Sequence, residues 1–357
     1  MNSDWAEKCR QIQVLLKNQA TCRDGIQQLL SLRQELFAQI TNLVNGLPGE
    51  AFYQMPYANA KGYHSKTLAY SIWHIFRIED TVSHTLIRQD TQILFASDYQ
   101  TRIGTKRITT GNELQGEQIA VFSKELDIWG LYAYARAVME STDALLRNMD
   151  YPELRRKFGE SDRERLARCE CVSKDESANW LIQYWCGKNV LGLVNMPFCR
   201  HWIMHIEAML RIKNRLCKLA RKGVDPIAYC GFSCNHCFLA QWCGSCRTDY
   251  SVCSYATCFA DHTCPNAACC QSKMLDGCYE CDELDTCVKG FYAPENDGAN
   301  AAKAQAMFIR KYGKKAFLNV HNALHAEFDF AKTQEILGQD VCEGLAILEE
   351  TYTRSLS

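Results

Sequence analysis

No apolar run in this 357-residue sequence approaches the roughly 20 residues needed to span a bilayer, so no transmembrane helix is expected. The opening Met1-Asn2-Ser3-Asp4-Trp5-Ala6-Glu7-Lys8-Cys9 lacks the basic-then-apolar order of a secretory signal, and a cytoplasmic protein is expected. Charge of one sign is also scarce. The formal net charge is −1, too even to announce a nucleic-acid binder. With 47% hydrophobic and 23% charged residues, the composition excludes a disordered chain and leaves a globular one of two-domain length.

The near-neutral total hides an uneven distribution. From residue 223 onward there are 10 Lys+Arg against 17 Asp+Glu, which leaves 30 against 24 before it. A basic first part and an acidic second part can attract each other. Cysteine marks the same division: 13 of the 21 fall between Cys230 and Cys287. In a reducing compartment such a cluster reads as thiolate ligands before disulfides. A basic stretch ends at Arg221-Lys222-Gly223, where Gly223 suits a left-handed helix cap, and Asp225-Pro226 follows. The expected domains are therefore 1–222 and 223–357.

In the first part, apolar residues recur at steps of three and four in four long segments. One carries Ile26, Leu29, Leu30, Leu36, Phe37, Ile40 and Leu43; the others run over about 67–87, 127–149 and 197–222. That periodicity predicts four amphipathic helices and suggests a bundle. A shorter helix is expected from Asp175, and residues 92–116 read as a polar connection over the surface.

His201 and His205 stand four apart on the fourth helix, one turn above each other. Their face continues through Ala208, Ile212, Leu216 and Leu219, so both imidazoles point inward, where an unpaired polar group is costly. His74 shares a face of the second helix with Ile78 and Val82 and can meet them across the core. Core histidines bonded to protein groups are the plain alternative to a metal site.

The segments Thr67-Leu68-Ala69-Tyr70-Ser71-Ile72-Trp73-His74-Ile75-Phe76 and Leu191-Gly192-Leu193-Val194-Asn195-Met196-Pro197-Phe198-Cys199-Arg200-His201-Trp202-Ile203-Met204-His205 resemble the DinB-like family. That family places one histidine in its second helix and a His-x3-His pair in its fourth, on a four-helix bundle. The resemblance spans about the first 220 residues and is specific at both motifs. It implies a divalent metal, zinc or nickel, on His74, His201 and His205, and one of two chemistries: metal-assisted hydrolysis, or transfer of a low-molecular-weight thiol to an electrophile. Three imidazoles leave coordination positions open, as a catalytic site requires.

In the second part the spacings carry the argument. Cys230-x3-Cys234-x2-Cys237 is followed by Cys243-x2-Cys246, then Cys253, Cys258, Cys264, Cys269 and Cys270, and finally Cys278-x2-Cys281-x5-Cys287. Paired thiolates on tight turns favour closed four-sulfur zinc sites, ahead of iron–sulfur clusters and disulfides. Thirteen cysteines suffice for three sites with one left over. The candidate ligands are Cys230, Cys234, Cys237, Cys243, Cys246, Cys253, Cys258, Cys264, Cys269, Cys278, Cys281 and Cys287. Radical enzymes share the first spacing, but no strand–helix alternation follows Cys237 here. The segments 230–237, 242–246 and 277–281 resemble a cysteine-rich bacterial and archaeal domain of unknown function, over about residues 228–290. The segment 227–290 has little apolar periodicity, so metal is expected to stand in for its core.

Helices are expected over 300–312 and 314–337. The second holds His321 and His325, but with His236 and His262 taken as bystanders no third ligand remains. Arg310, Lys311, Lys314 and Lys315 read as a solvated face. The expected fold is thus mainly α: a DinB-like four-helix bundle, then a small irregular cysteine-rich module with C-terminal helices. The leading function is an enzyme acting on a small molecule at the three histidines, with no membrane partner. The alternative is a non-catalytic metal-binding or redox-sensing protein. An open cavity at the histidines favours the enzyme; a dry core with bonded imidazoles favours the alternative.

Overall fold

The computed structural model describes every residue except 1, 61, 241, 252–255, 257–262 and 357. It is mainly helical. Among the described residues there is no strand, only the isolated bridges Lys157–Asn189 and Ile227–Ser233. The chain divides into two compact units, Met1–Lys213 and Asn214–Ser357.

The first unit is built on α1 (Ser3–Leu16), α2 (Cys22–Gly46), α3 (Leu68–Asp80), α4 (Ile128–Asn148), α5 (Glu176–Cys186) and the first part of α6 (His201–Ala220). Local chemistry starts each of them. The side chains of Asn2, Thr67, Asp127 and Asp175 accept from free backbone amides at the first turns of α1, α3, α4 and α5. Helix α2 buries Ile26, Leu29, Leu36, Phe37, Ile40 and Leu43, the face its periodicity predicts. Helix α1 packs on α2, and α4 packs on both α2 and α3.

Helix α3 differs from its neighbours because all of its residues are buried. A helix covered all round is a central element, and any polar side chain it carries must find partners inside the protein. It continues as a π-helical stretch, Thr81–Arg88, and a second π-helical turn, Met196–Arg200, leads into α6. Two buried arginines serve the core. Arg33 donates to Glu79, to Asp143 and to the Phe198 carbonyl, and Arg77 donates to Asp80 and to the Tyr134 hydroxyl.

Residues 92–116 correct the expectation of a surface connection only in part, since 95–98, 101–102 and 115–116 are exposed. Gln92, Leu94, Ile103, Thr105 and Thr110 are all buried, and two short helices, Ile93–Ala96 and Tyr99–Ile103, fall within the segment. The backbone carbonyls of 108–111 turn inward, where donors on α3 meet them.

Gly130, in the first turn of α4, sits so close to the Arg102 carbonyl that a Cβ there would stand 2.3 Å from its oxygen. Gly130→Ala is expected to cost about 1–3 kcal/mol through forced displacement. Urea unfolding followed by tryptophan fluorescence should show an earlier transition; an unchanged midpoint would mean that the Arg102 backbone yields freely.

The second unit contains α7 (Pro265–Ser272), α8 (Ala299–Glu327), α9 (Phe330–Gly338) and α10 (Val341–Leu356). Helix α8 is interrupted at Gly313, whose φ of 82° and ψ of 165° suit glycine. The helix expected over 314–337 is divided, because Asp329 accepts from the Lys332 amide and starts α9 afresh. Helices α9 and α10 both pack on α8. Gly223 has the left-handed φ of 78° expected of it.

The cysteine-rich segment is not left without apolar burial. Ile227, Tyr279, Leu284 and Tyr292 join Phe308, Phe317, Val320, Leu337 and Leu348 in one core. The expectation that this segment has no apolar core of its own is thereby corrected: it shares one with the C-terminal helices. Three of the four basic residues at 310–315 are paired: Arg310 with Asp285, Lys311 with Glu349, and Lys314 with Asp225 and Asp276.

Candidate metal centre

His74 on α3 and His201 and His205 on α6 come together. Their ligand nitrogens all lie within 4.8 Å of one another, and the ring centroids are 4.6–5.1 Å apart. Nitrogens around one tetrahedral zinc at about 2.0–2.1 Å stand about 3.3–3.4 Å apart, so small ring rotations would close the set on an ion. The three side chains are 6%, 7% and 2% exposed.

The polar accounting separates a ligand set from ordinary core histidines. His74 Nδ1 meets the Thr110 carbonyl at 2.8 Å, which places its proton on Nδ1 and leaves the Nε2 lone pair for an ion. Nδ1 of His201 and both nitrogens of His205 are buried with no partner among the described residues. A carbonyl or carboxylate on each ring would have made these structural histidines. Burial pushes His74 down to about 4, against the opposing pull of the Thr110 carbonyl. Burial first, and neighbouring imidazoles second, hold His201 and His205 well below the ordinary range. All three are therefore neutral near pH 7, the protonation state a metal needs.

The 108–111 stretch positions His74. Tyr70, Trp73, His74 and Arg77 share one face of α3, and each donates to one of four consecutive carbonyls. Tyr70 bonds Gly111 O at 3.0 Å, Trp73 bonds Thr109 O at 3.1 Å, His74 bonds Thr110 O, and Arg77 bonds Ile108 O at 2.7 Å. The ladder fixes the loop against the helix and the His74 tautomer with it.

The triad opens onto a cavity of about 590 Å³. Tyr63, Lys66, Tyr70, Asn112, Trp180 and Tyr184 line it beside the histidines. Tyr70 stacks on His74 at 5.5 Å, and Tyr63 sets its edge against His205 at 4.7 Å. Lys66 is the only lysine or arginine among these described lining residues, and burial lowers its pKa. Sequence reading marked the histidines but not these walls. The helix from Asp175 was legible, whereas its contribution of Trp180 and Tyr184 to a cavity was not, since single aromatics on an amphipathic helix carry no spacing signal.

Metal-free protein should lose stability on acidification with a definite sign. The folded triad resists protonation, and the unfolded imidazoles take protons below their ordinary value of about 6.5. Stability is then fully present above pH 6.5 and falls as the pH drops toward about 4, the His74 value, by up to about 1.4 kcal/mol per pH unit for each imidazole. Denaturant midpoints at pH 7.5, 6 and 5 test this against His74→Leu, which should flatten the trend. An identical slope in the variant would assign the trend to other groups.

The cysteines sort into two groups. Cys230, Cys234, Cys237, Cys243, Cys246 and Cys264 line a cavity of about 520 Å³. Cys269, Cys270, Cys278, Cys281 and Cys287 surround one of about 30 Å³. Cys253 and Cys258 lie outside the described residues. No three sulfurs among the described cysteines are all within 4.8 Å of one another. Cys270 Sγ lies 3.6 Å from Cys278 Sγ, which brings in a cysteine absent from the candidate ligands. The hydrogen bond from Cys270 holds the Cys278 thiol down to about 6, with burial opposing.

No helix of the described residues is long and apolar enough to cross a membrane. No family model, no curated protein and no solved structure matches this chain.

Proposed function

We propose that the chain is a metal-dependent enzyme of the DinB-like type, in which His74, His201 and His205 hold a zinc or nickel ion on a four-helix bundle formed by α2, α3, α4 and α6. The observation that carries this reading is the convergence of buried, unpartnered imidazole nitrogens on an open cavity of about 590 Å³. A divalent ion there supplies Lewis acidity and lets a water or thiol lose its proton near neutral pH. The protein's own residues do the rest. Thr110 holds the His74 tautomer, Tyr63 and Tyr70 pack the rings, and Trp180 and Tyr184 shield an apolar substrate portion from water. Lys66 offers one cation to an anionic group of a small substrate. Of the two chemistries, thiol transfer suits this cavity better than hydrolysis, because aromatic walls and one cation match a small anionic thiol and an apolar electrophile.

In the second unit the small cavity is about the volume of one water. It suits a single zinc held by Cys269, Cys278, Cys281 and Cys287. The larger cysteine cavity has room for more than one ion. A non-catalytic redox-sensing reading draws on the close Cys270–Cys278 pair.

The test is turnover by the zinc- or nickel-loaded full chain with glutathione and 1-chloro-2,4-dinitrobenzene, and separately with p-nitrophenyl acetate. Metal-dependent rates at least tenfold above those of His201→Ala/His205→Ala are expected with the thiol pair. Equal rates from parent and variant on both substrates would sink the enzyme reading.

A further inference from the structure

The second His-x3-His pair gains the partner that its sequence does not reveal. His236, in the loop after Cys234, lies face to face with His325, with centroids 4.2 Å apart at 9°, and stands 5.3 Å from His321. The His321 and His325 rings are 4.6 Å apart. We propose that His236, His321 and His325 form a second divalent-metal site, in the other unit from the first triad, for an ion of the imidazole-preferring class: zinc, nickel, cobalt(II) or copper(II).

Two kinds of observation point to a ligand here. The first is unpaired polarity. His321 is 1% exposed, and neither of its ring nitrogens has a partner among the described residues; the same holds for Nε2 of His325. Burying imidazole nitrogens against phenyl rings and one another, with nothing to bond them, is costly unless an ion takes the lone pairs. Phe317 and Phe330 flank the site, with ring centroids 5.1 Å from His321 and 6.4 Å from His325, and offer no polar substitute.

The second is the outer bonding. His236 Nε2 pairs with Asn322 Oδ1 at 2.7 Å, which places its proton there and frees Nδ1. His325 Nε2 stays without a partner among the described residues. Metal-binding imidazoles tie one nitrogen to an oxygen and keep the other for the ion, as His74 does with Thr110. His321 and His325 stand one turn apart on the segment of α8 after Gly313, a rigid base for two ligands.

His236 and His325 are half-buried, whereas His321 is buried. Among the described residues only the first triad has all its ligand atoms within 4.8 Å, so binding here requires a rotation of His236, the one ligand on a loop. Reaching a shared ion means that His236 leaves its stack on His325. The expectation that His236 is a bystander is thereby revised: the loop folds back onto α8, a contact with no periodic trace.

The experiment uses the full chain in a His201→Ala/His205→Ala background, produced in cobalt-supplemented medium under reducing conditions. Cobalt per chain and resistance to a chromophoric chelator are compared with and without His236→Ala, and with and without His321→Leu/His325→Leu. One equivalent should disappear in the double leucine variant, and His236→Ala should weaken the same equivalent at least tenfold. His236→Ala alters a loop side chain, so it decides the matter even if the leucine variant fails to fold. Cobalt content and chelator resistance unchanged by His236→Ala, or by a leucine variant of parental helicity, would overturn the proposal. The first triad is absent from this background, so the outcome is independent of the enzyme reading.

Discussion

Full-length protein carrying His201→Ala and His205→Ala is expected to bind one divalent ion fewer than the parent and to lose metal-dependent turnover, with the metal content assigned to the cysteines unchanged. Cys278→Ser with Cys281→Ser should do the reverse. The two-histidine variant also has a thermodynamic signature. At an ion concentration a thousand times its dissociation constant, binding to the folded state alone stabilises the parent by about 4 kcal/mol, and the variant should show no such increment from this site. Without metal the ordering changes. The parent holds His201 Nδ1 and both His205 nitrogens buried and unpartnered, each a cost of about 1–3 kcal/mol. Alanine removes that cost and leaves empty volume beside an existing cavity. The metal-free variant should therefore be at least as stable as the metal-free parent. Histidines serving only as bonded core residues would give the opposite order, a variant weaker by several kcal/mol with or without metal. Elemental analysis and denaturant titrations at matched pH distinguish the two.

Arg33→Ala should produce the largest loss of stability in the first unit. Its guanidinium is fully buried, 2.7 Å from Glu79 and 2.6 Å from Asp143. Removing one partner of a buried ion pair costs about 3–5 kcal/mol because the remaining charge has neither water nor a counter-ion. Against a typical domain stability of about 5–15 kcal/mol, that is enough to unfold a sizeable fraction of the unit. Burial raises the pKa of Glu79, with Arg33 opposing, so without the arginine the carboxyl should take up a proton on folding. Glu79 also accepts from the Trp202 indole at 2.8 Å, next to His201. Loss of Arg33 should thus disturb the metal centre as well. Tryptophan-monitored urea unfolding should show the drop, and Arg33→Lys should recover only part of it, since an ammonium cannot serve both carboxylates in the fork geometry of a guanidinium. A midpoint unchanged by alanine would show that the network contributes nothing net.

Both predictions rest on contacts between segments far apart in sequence, and that marks what could be read in advance. The faces of the long helices were legible, because a 3.6-residue period is written into each segment locally: Ile26 to Leu43 on α2, and His201, His205, Ala208 and Ile212 along one side of α6. Spacing alone put His201 and His205 one turn apart on an inward face, and it named the cysteines able to bind as pairs. What the periodicity could not carry was the choice of partners. Residues 92–116 look like a polar connection, yet four of their successive carbonyls meet Tyr70, Trp73, His74 and Arg77 and so set the His74 ring. A carbonyl is the same group in every residue, so its use as an acceptor leaves no mark on the sequence. The cavity walls at Lys66, Trp180 and Tyr184, the sorting of cysteines into two groups, and the return of His236 onto His325 are of the same kind. The sequence by itself determined the long amphipathic helices, their inward faces and most of the possible ligands. Only the tertiary structure decided which of those ligands meet, because that depends on buried donors finding acceptors across the chain, where no local pattern records the pairing.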